Sequence, residues 1–298
     1  MDRSSFRLEG DFGEIRWQEP LSRHTTWKLG GPARALVLPE RPDQVAALLR
    51  YCQEKQIPLL VLGNGSNLLV RDSGWPGVAL KLSKLQQLEL SGEKIRAQAG
   101  VLLPVLARKT MAAGLAGLEW AGGIPATVGG AVLMNAGAHG GQMAEVVEKV
   151  TILNWQGEKE VWSSQELDYG YRSSRLKAAR PGVVIEASFR LTPADPVQLQ
   201  QRAQELLAWR QQHQPLNLPS CGSVFKNPPG GSAGRLIESA GCKGWQEGQI
   251  QVSPVHANFF VNLGGGTASE ALRLMERVQA RVAQVHGIKL EPEVQIVG

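Results

Sequence analysis

A glycine-rich segment of the chain has the residue types that can bind a pyrophosphate group. Gly63-Asn64-Gly65-Ser66-Asn67 follows the apolar residues 59–62 and leads directly into a second apolar run. Successive backbone N–H groups in such a loop can surround an anion, and glycine allows close approach and positive φ. Leu68 stands where a Rossmann fingerprint has its third glycine, and no helix is predicted to follow, so that motif is excluded. Taken alone, the segment is more often a plain tight turn.

A second, longer segment contains more small residues than a packed core can use. It comprises Ala121-Gly122-Gly123-Ile124-Pro125-Ala126-Thr127-Val128-Gly129-Gly130-Ala131 and then Met134-Asn135-Ala136-Gly137-Ala138-His139-Gly140-Gly141. Dense glycine indicates that something other than a side chain packs against the backbone, such as a phosphate or a flat ring. A flexible surface loop is the alternative, but Ile124, Val128 and Val132 argue against full exposure. We therefore favour a ligand site.

The composition bounds the class of protein that carries these segments. The chain has 298 residues, of which 43% are hydrophobic and 20% charged. These values are typical of soluble globular proteins, and the length suits two or three domains. The net charge of +5 comes from Lys and Arg interleaved with Asp and Glu, a balance that suits anionic small ligands as well as nucleic acid. Aromatic residues form no stripe with basic ones, so we expect no nucleic-acid partner.

The cysteines, the histidines and the N-terminal segment exclude further classes. Cys52, Cys221 and Cys242 are odd in number and far apart, which predicts reduced thiols. The histidines form no ligand-spaced cluster, so we expect no metal. Residues 1–15 contain no apolar stretch long enough for a signal peptide or a membrane span. We expect a cytoplasmic protein without membrane contact, and a monomer.

Short strands and amphipathic helices must position the two segments. Apolar runs predict strands at residues 35–38, 59–62, 68–70, 78–82, 183–191, 249–252, 258–263 and 288–297, and hairpins at 85–99 and 150–162. Helical spacing and end signals predict helices from Pro42 to before Pro58, at 103–113, at 196–213 as a domain boundary, and near Leu236. A last helix begins at a capping box of Thr267 and Glu270 and ends at Gly287. Its buried face is predicted to carry Leu272, Met275, Val278, Val282 and Val285.

Several motifs, in this order, resemble one enzyme family. Residues 25–33, the GNGSN loop and residues 123–140 are similar to the FAD-binding half of UDP-N-acetylenolpyruvoylglucosamine reductases. Residues 169–174, 221–228, 255–259 and 290–294 are similar to the substrate half. The glycine-rich blocks are shared by a wider group of flavoproteins, whereas the motifs around Ser223 and Glu293 are much more specific to the reductase. The resemblance extends from about Pro20 to the C-terminus.

The resemblance implies an α+β fold with a two-part FAD-binding region of the vanillyl-alcohol-oxidase/PCMH type and a C-terminal α+β substrate-binding domain. The implied parts are residues 1–76 and 77–195 for FAD, 196–287 for substrate, and 288–298 as a strand that returns to the FAD-binding half. The implied activity uses NADPH to reduce FAD, and then converts UDP-N-acetylglucosamine enolpyruvate to UDP-N-acetylmuramate. This is a cytoplasmic step of peptidoglycan precursor synthesis, which serves cell wall biogenesis, cell shape and cell division.

The resemblance also implies roles for individual residues. The implied FAD contacts are Gly63, Asn64, Gly65, Ser66, Asn67, Leu68, Gly122, Gly123, Ile124, Pro125, Ala126, Thr127, Gly129, Gly130, Asn135, Ala136 and Gly137. The implied substrate contacts are Tyr171, Lys226, Asn227, His256 and Asn258. The implied catalytic residues are Ser223, Arg172 and Glu293. For His256, a satisfied structural histidine is an equally good interpretation.

The chemistry of the implied reaction suits these three catalytic side chains. Ser223 would donate the proton, with help from nearby cations or hydrogen bonds because a hydroxyl is a weak acid. Arg172 can hold the substrate carboxylate and stabilise the developing enediolate. Glu293 could stabilise the enolic form if burial raises its pKa. Without the motifs, the three are more often a turn serine, a solvated arginine and a polar strand residue.

The chain departs from the family pattern at a few places. Cys221 stands where alanine is expected, and Gln295 where arginine or lysine is usual. The stretch between Arg172 and Ser223 is too short for the substrate-covering insertion of the longer members, so we expect the shorter type. The alternatives are another FAD-dependent oxidase or dehydrogenase with the same FAD domain, a non-catalytic flavin-binding sensor, or a basic nucleic-acid-binding protein.

Overall fold

A computed structural model describes residues 6–298, and residues 1–5, with which the predicted subdomain 1–76 begins, lie outside the described residues. The chain divides into two compact units. The first contains the described residues up to Trp17, Arg34–Asn64 and Pro76–Ala208. The second contains Gln18–Ala33, Gly65–Trp75 and Trp209–Gly298.

The strands, numbered in chain order, are mostly short. They are β1 Glu14–Pro20, β2 Pro32–Leu38, β3 Leu59–Leu62, β4 Leu68–Val70, β5 Trp75–Lys81, β6 Leu88–Ser91, β7 Lys94–Gln98, β8 Leu115–Ala116, β9 Gly137–Ala138, β10 Gly141–Gln142, β11 Val147–Asn154, β12 Lys159–Ser163, β13 Gly182–Arg190, β14 Thr192–Pro193, β15 Ser220–Ser223, β16 Gln246–Glu247, β17 Ile250–Val252, β18 Phe259–Asn262 and β19 Gln295–Val297.

The helices lie between these strands. They are α1 Pro42–Glu54, α2 Leu103–Ala112, α3 Val128–Leu133, α4 Arg175–Ala179, α5 Pro196–His213, α6 Ala233–Ser239 and α7 Ala268–His286. Short 3₁₀ helices cover Leu21–His24, Glu119–Gly123 and Met143–Glu145. Among the described residues, no helix is both long enough and apolar enough to cross a membrane.

A five-stranded antiparallel sheet organises the first unit. Its strand order is β12-β11-β13-β7-β6, and Val150 and Ile152 of β11 are fully buried. A second sheet has the order β1-β2-β5-β3, in which β3 and β5 are parallel. β-Branched side chains pack well on such pleated surfaces. The predicted strands and hairpins of this region are confirmed.

The long glycine-rich segment is partly helical. Its first residues belong to the 3₁₀ helix Glu119–Gly123, and it contains the α-helix Val128–Leu133, whose N-cap is Thr127. The Thr127 hydroxyl accepts a hydrogen bond from the Gly130 N–H at 3.4 Å, as an N-cap residue does. This helix packs so closely against Ala99 that position 129 needs glycine. A Cβ at Gly129 would lie 2.9 Å from the Ala99 Cβ.

A four-stranded antiparallel sheet and α7 form the core of the second unit. The strand order is β15-β18-β17-β16. The capping box at the start of α7 is confirmed, since the Thr267 and Glu270 side chains each accept a backbone N–H from the other residue. The predicted buried face is wrong at one end, because Val285 is 43% exposed while Leu274 is fully buried.

The C-terminal strand is shorter than the apolar pattern predicts. Only Gln295–Val297 forms a strand, which pairs in parallel with β4. Residues 291–294 instead run beside residues 224–226, with a single bridge between Phe225 and Pro292. Proline has no N–H to donate, so regular pairing cannot pass through this position.

The predicted domain boundaries remain a prediction. Residues 18–33 and 65–75, which lie within the predicted subdomain 1–76, group with the C-terminal residues in the second unit. The division near the substrate half falls inside α5, between Ala208 and Trp209, and not at the predicted position before Pro196.

Candidate functional site

The first glycine segment meets the second within the first unit. A Cβ at Gly63 would lie 2.7 Å from the Thr127 hydroxyl oxygen, so only glycine allows this approach. The Asn64 amide donates to the Pro125 carbonyl at 2.9 Å. The structure therefore brings together Gly63, Asn64, Pro125 and Thr127, which the sequence predicts as cofactor contacts.

The backbone of the GNGSN loop is arranged as an anion-binding loop requires. Among the described residues, the N–H groups of Asn64, Gly65 and Ser66 have no protein acceptor. Gly65 has φ +65°, and a Cβ there would lie 2.2 Å from the His24 carbonyl oxygen. Unpaired successive N–H groups are costly unless water or a ligand accepts from them. These residues fit the diphosphate of a dinucleotide such as FAD.

The second glycine segment presents backbone and open space. No atom lies within 4 Å of the position where a side chain at Gly122 would begin. Residues 122–126 are half-buried or exposed, whereas Val128, Ala131 and Val132 pack into the core of the first unit. The arrangement leaves one face of the segment available to a flat ring, as expected for a flavin.

Asn135 differs from the other predicted cofactor contacts because its side chain is fully engaged. It is 2% exposed. Its Nδ2 donates to Gln142 Oε1 and to the Gly170 carbonyl, each at 3.0 Å, and its Oδ1 accepts from the Ala144 N–H at 2.9 Å. The amide therefore has a structural role, and the segment contributes to the site at this point through its backbone.

Arg172 lies beside the second glycine segment in the first unit. Its guanidinium Nη2 donates to the Gly137 carbonyl at 2.8 Å, and its guanidinium carbon lies 5.2 Å from the centre of the Tyr171 ring. Tyr171 itself is 55% exposed. A guanidinium is planar and carries several N–H donors, which is the geometry that binds a carboxylate.

Ser223 and Glu293 lie on adjacent segments in the second unit. The Glu293 N–H donates to the Val224 carbonyl at 2.8 Å, and the Lys226 N–H donates to the Glu291 carbonyl at 2.9 Å. Gly222, before Ser223, has φ +75° and no neighbouring atom within 4 Å of its missing side chain. Ser223 is therefore the last residue of β15, at an uncrowded end of the strand next to the segment of Glu293.

The Cys221 thiol, on β15, is electrostatically influenced by the Glu293 carboxylate. Burial raises the pKa of the Cys221 thiol, and the Glu293 charge raises it further. Asn67 holds the segment of Glu293 from the other side. Its amide donates to the Glu293 carbonyl at 3.1 Å, and its own carbonyl accepts the Gln295 N–H at 3.0 Å.

The predicted substrate contacts of the second unit fall into two groups. Lys226 forms an ion pair with Glu291, and Asn227 is exposed, with its Oδ1 accepting the Ala233 N–H at 3.0 Å. Asn258 is buried, and its amide both accepts the Phe225 N–H and donates to the Phe225 carbonyl. Lys226 and Asn227 can still reach a ligand. The Asn258 amide instead fixes the backbone of Phe225, two residues after Ser223.

His256 has the surroundings of a structural histidine. Its Nδ1 accepts from the Asn258 N–H at 3.2 Å, and its ring packs edge-on against Phe259 with centroids 4.8 Å apart. The pKa of His256 is lowered, mainly by burial. The neutral ring is the form that can accept from the Asn258 N–H.

Arg210 is a candidate that the motif analysis missed. Its Nε is buried and, within residues 6–298, has no hydrogen-bond partner, and the Gln214 Oε1 one turn later is in the same state. Burial lowers the pKa of the Arg210 guanidinium. A half-buried arginine whose buried Nε has no partner among the described residues is suited to an anionic ligand. The sequence feature that could have indicated this residue is its position in the last turn of α5, the helix that precedes the Ser223 motif.

Other features do not coincide with the predicted residues. A cavity of about 230 Å³ lies in the first unit among α1, β7, β11 and β13, and its lining contains none of the predicted site residues. Within the part of the chain that the structure describes, no three His, Cys, Asp or Glu side chains are placed to hold a metal ion. All three cysteines are free and buried, as the sequence predicts.

The chain is similar to known proteins over nearly its whole length. Residues 214–297 match the C-terminal domain of UDP-N-acetylenolpyruvoylglucosamine reductase, and residues 33–161 match an FAD binding domain. The UDP-N-acetylenolpyruvoylglucosamine reductase of Rubrobacter xylanophilus is 50% identical, over 98% of this chain and 98% of that protein. That of Heliobacterium modesticaldum is 47% identical, over 98% of this chain and 94% of that protein.

A solved structure agrees with the sequence relatives. The crystal structure of UDP-N-acetylenolpyruvylglucosamine reductase from Thermus caldophilus matches with a TM-score of 0.82 and 38% identity, and the match covers 96% of this chain and 98% of that one. The expected α+β fold with an FAD-binding domain and a C-terminal domain of this type is confirmed. With these relatives and with the glycine-rich loops, Arg172, Ser223 and Glu293 placed as described, the chain belongs to the UDP-N-acetylenolpyruvoylglucosamine reductase family.

Proposed function

We propose that this chain reduces the enolpyruvyl ether of UDP-N-acetylglucosamine enolpyruvate to the lactyl ether of UDP-N-acetylmuramate, with bound FAD as cofactor and NADPH as hydride donor. The observation that carries the proposal is the pairing of residues 224–226 with residues 291–294, which sets Ser223, at the end of β15, beside the segment of Glu293. The product is a peptidoglycan precursor, so the activity would serve cell wall biogenesis, cell shape and cell division.

The glycine-rich loops are the proposed FAD site. The N–H groups of Asn64, Gly65 and Ser66 would hold the diphosphate, and residues 122–126 would face the flat ring. FAD, when bound and reduced by NADPH, would supply the hydride that adds to the terminal carbon of the enol ether. The protein side chains then have to bind the substrate, orient it and provide the proton.

Arg172 is proposed to bind the substrate carboxylate. The enol ether is conjugated to that carboxylate, so negative charge moves onto its oxygens as the double bond is reduced. A guanidinium stabilises this charge more in the transition state than in the ground state, as an oxyanion hole does. The Gly137 carbonyl and the Tyr171 ring hold the Arg172 side chain for this role.

Ser223 is proposed as the proton donor and Glu293 as a second acid at the developing enol. The Ser223 Oγ would give its proton to the carbon next to the carboxylate. Its position after Gly222, which has no side chain, leaves the hydroxyl accessible. The Glu293 N–H donates to the carbonyl of Val224, the residue after Ser223, at 2.8 Å, so the two proposed acids lie on adjacent segments.

The diphosphate of the substrate needs cations, and the second unit offers two. Arg210 has a buried Nε without a partner among the described residues, and Lys226 can exchange its exposed partner Glu291 for a phosphate. Asn227 is a proposed contact to the sugar. Arginine suits phosphate because its planar fork donates two parallel hydrogen bonds.

We further propose that the protein acts as a cytoplasmic monomer. UDP-linked precursors and NADPH are solutes of the cytoplasm, and both half-reactions are assigned to residues of a single chain. Light scattering of the purified protein measures its mass directly. A dimer would leave the chemistry unchanged but would require a search for the interface.

Anaerobic absorption spectra of the purified protein test the proposed function. The protein is expected to be yellow, to bleach with NADPH, and to recover its colour when UDP-N-acetylglucosamine enolpyruvate is added. NADH in place of NADPH is the control for the donor. A protein that takes up no FAD, or that bleaches but is reoxidised only by oxygen, would contradict the proposal and favour a flavin-binding sensor or another flavin oxidase.

The variant Ser223→Ala tests the proposed proton donor in the same experiment. Bleaching by NADPH is expected to be unchanged, because that step needs no proton from Ser223. Recovery of colour with the enolpyruvyl substrate is expected to slow about 10²- to 10⁴-fold, the range for loss of a general acid. Ser239→Ala, on the exposed face of α6, is a matched control. Unchanged recovery in Ser223→Ala would assign the proton to another group.

A further inference from the structure

The backbone of Arg172 has a conformation that its neighbours must impose. Its φ is +52°, in the left-handed region that side-chain-bearing residues rarely adopt. Such a residue persists only where the surrounding structure holds it, and such residues cluster at functional sites. The turn around it is closed by reciprocal hydrogen bonds between Gly170 and Ser173, at 3.1 and 3.2 Å. The side chain of Arg172 therefore points where this turn directs it.

Two side chains outside the turn hold its backbone. The Asn135 amide donates to the Gly170 carbonyl at 3.0 Å, and the Lys177 ammonium donates to the Arg172 carbonyl at 3.0 Å. Asn135 is in turn fixed by Gln142 and by the Ala144 N–H. Lys177 lies on α4, which begins at Arg175 directly after its N-cap residue Ser174. The turn is thus held at its first residue, Gly170, and at Arg172.

We propose that Asn135 and Lys177 are positioning residues that fix the Arg172 guanidinium for the substrate carboxylate. The proposal depends on the proposed role of Arg172. It assigns Asn135 a role other than direct contact with the flavin, since its donors and its acceptor are used by the protein. It also assigns a role to Lys177, which no motif singled out.

The chemistry of the two contacts explains why these residue types are needed. Only a neutral amide can donate to the Gly170 carbonyl while accepting from the Ala144 N–H, so aspartate at position 135 would set an anion against a carbonyl oxygen. Only a long cationic side chain on the first turn of α4 reaches the Arg172 carbonyl. A displacement of about 1 Å at a reacting group can cost about 10²-fold in rate.

Rapid-mixing kinetics of Lys177→Met and Asn135→Asp test the proposal in the complete flavoprotein. Both are expected to keep the rate of flavin reduction by NADPH within about twofold, and to slow reoxidation by the enolpyruvyl substrate about 10-fold or more. Binding of UDP-N-acetylmuramate to the oxidised protein, measured by calorimetry, is expected to weaken as well, since the product keeps the carboxylate. Lys109→Met, on the exposed face of α2, is the control and is expected to change neither value.

A double-mutant cycle separates positioning from a general structural effect. If Lys177 acts through Arg172, then Lys177→Met adds no further loss in an Arg172→Lys background. Two outcomes would overturn the inference. In the first, the double variant loses as much in reoxidation rate as the product of the two single losses. In the second, the Lys177→Met protein has normal reoxidation and product binding. If Arg172→Lys itself reoxidises normally, the proposed role of Arg172 fails instead. Lys177 is half-buried whereas Asn135 is buried, and methionine keeps most of the length of the lysine side chain, so Lys177→Met keeps the test valid even if Asn135→Asp does not fold.

Discussion

Asn64, Asn135 and Asn258 all lie in motifs that predict ligand contacts, but their amides have different partners. The Asn64 amide makes one bond, to Pro125, on an exposed loop, whereas Asn135 and Asn258 are 2% and 3% exposed and satisfied by the protein. A buried amide without partners would destabilise the fold. The identity of a residue in a motif therefore does not decide whether it binds a ligand or holds the residue that does.

The lowered pKa of His256 makes the stability of the protein depend on pH. Burial is the largest cause, Lys243 and His213 lower the pKa further, and Glu238 opposes them. As pH falls through 6.5, the ordinary value, the unfolded chain takes up the proton before the folded protein does, so the free energy of unfolding decreases. His256→Asn keeps an acceptor for the Asn258 N–H, and the free energy of unfolding of this variant is expected to decrease less as pH falls.

Urea midpoints at pH 7.5 and pH 5.5 measure the effect. The wild-type protein is expected to lose more of its stability between these values than His256→Asn does. His286→Asn, which removes an imidazole at the end of α7, is the control. Equal pH dependence in the wild-type protein and His256→Asn would mean that the imidazole is protonated as easily in the folded protein as in the unfolded chain.

At the scale of elements, end signals and apolar spacing identify helices well. The signals of α7 are complete, with Thr267 as N-cap, Glu270 at the third position and Gly287 in the left-handed conformation at the end. The structure adds a partner that local sequence could not show. The Asp72 carboxylate accepts the N–H groups of Ala268 and Ser269 at 2.8 and 2.9 Å, which satisfies donors that every helix leaves unpaired.

Removing the Thr267 hydroxyl tests the contribution of the capping box. Thr267→Ala leaves the Glu270 N–H without its partner and is expected to destabilise the second unit by about 1 kcal/mol, the usual cost of a lost N-cap. Thr267→Ser keeps the oxygen and should stay close to the wild-type stability. The measurement is the urea midpoint of the full chain. Equal midpoints for the alanine and serine variants would show that Asp72 alone caps the helix.

At the scale of the whole molecule, each unit collects segments that are distant in sequence. The core of the second unit contains Trp27, Leu29 and Leu69 together with residues of α6, α7 and the C-terminal sheet. The Trp27 carbonyl accepts from the buried Asn262 amide at 3.1 Å, and the Thr26 hydroxyl donates to the Ser220 carbonyl at 2.7 Å. Residues 18–33 are therefore part of the scaffold that carries β15 and its last residue, Ser223.

A pair of tryptophans tests this organisation. Trp27 is fully buried, whereas Trp17 is 48% exposed. Trp27→Ala is expected to destabilise the protein by about 3 to 5 kcal/mol through the cavity it leaves, and to impair the reactions of Ser223 more than FAD uptake. Trp17→Ala should cost about 1 kcal/mol or less. Similar urea midpoints for both variants would show that residues 18–33 are dispensable to the second unit.

The sequence by itself determined most strands and helices, the capping box of α7, the free cysteines and the family, because these depend on local periodicity, end signals and ordered motifs. It could not determine that the glycine-rich segment holds the helix Val128–Leu133, that Val285 is exposed, or that Pro292 interrupts the last strand. These depend on what packs against each segment. Only the tertiary structure decided that Asn135 holds the Gly170 carbonyl, 35 residues away, and that Asn67 holds Glu293, 226 residues away, because no pattern within a local window records such distances. Lys177 is five residues from Arg172, but their contact depends on the left-handed backbone of Arg172, which the sequence pattern does not show.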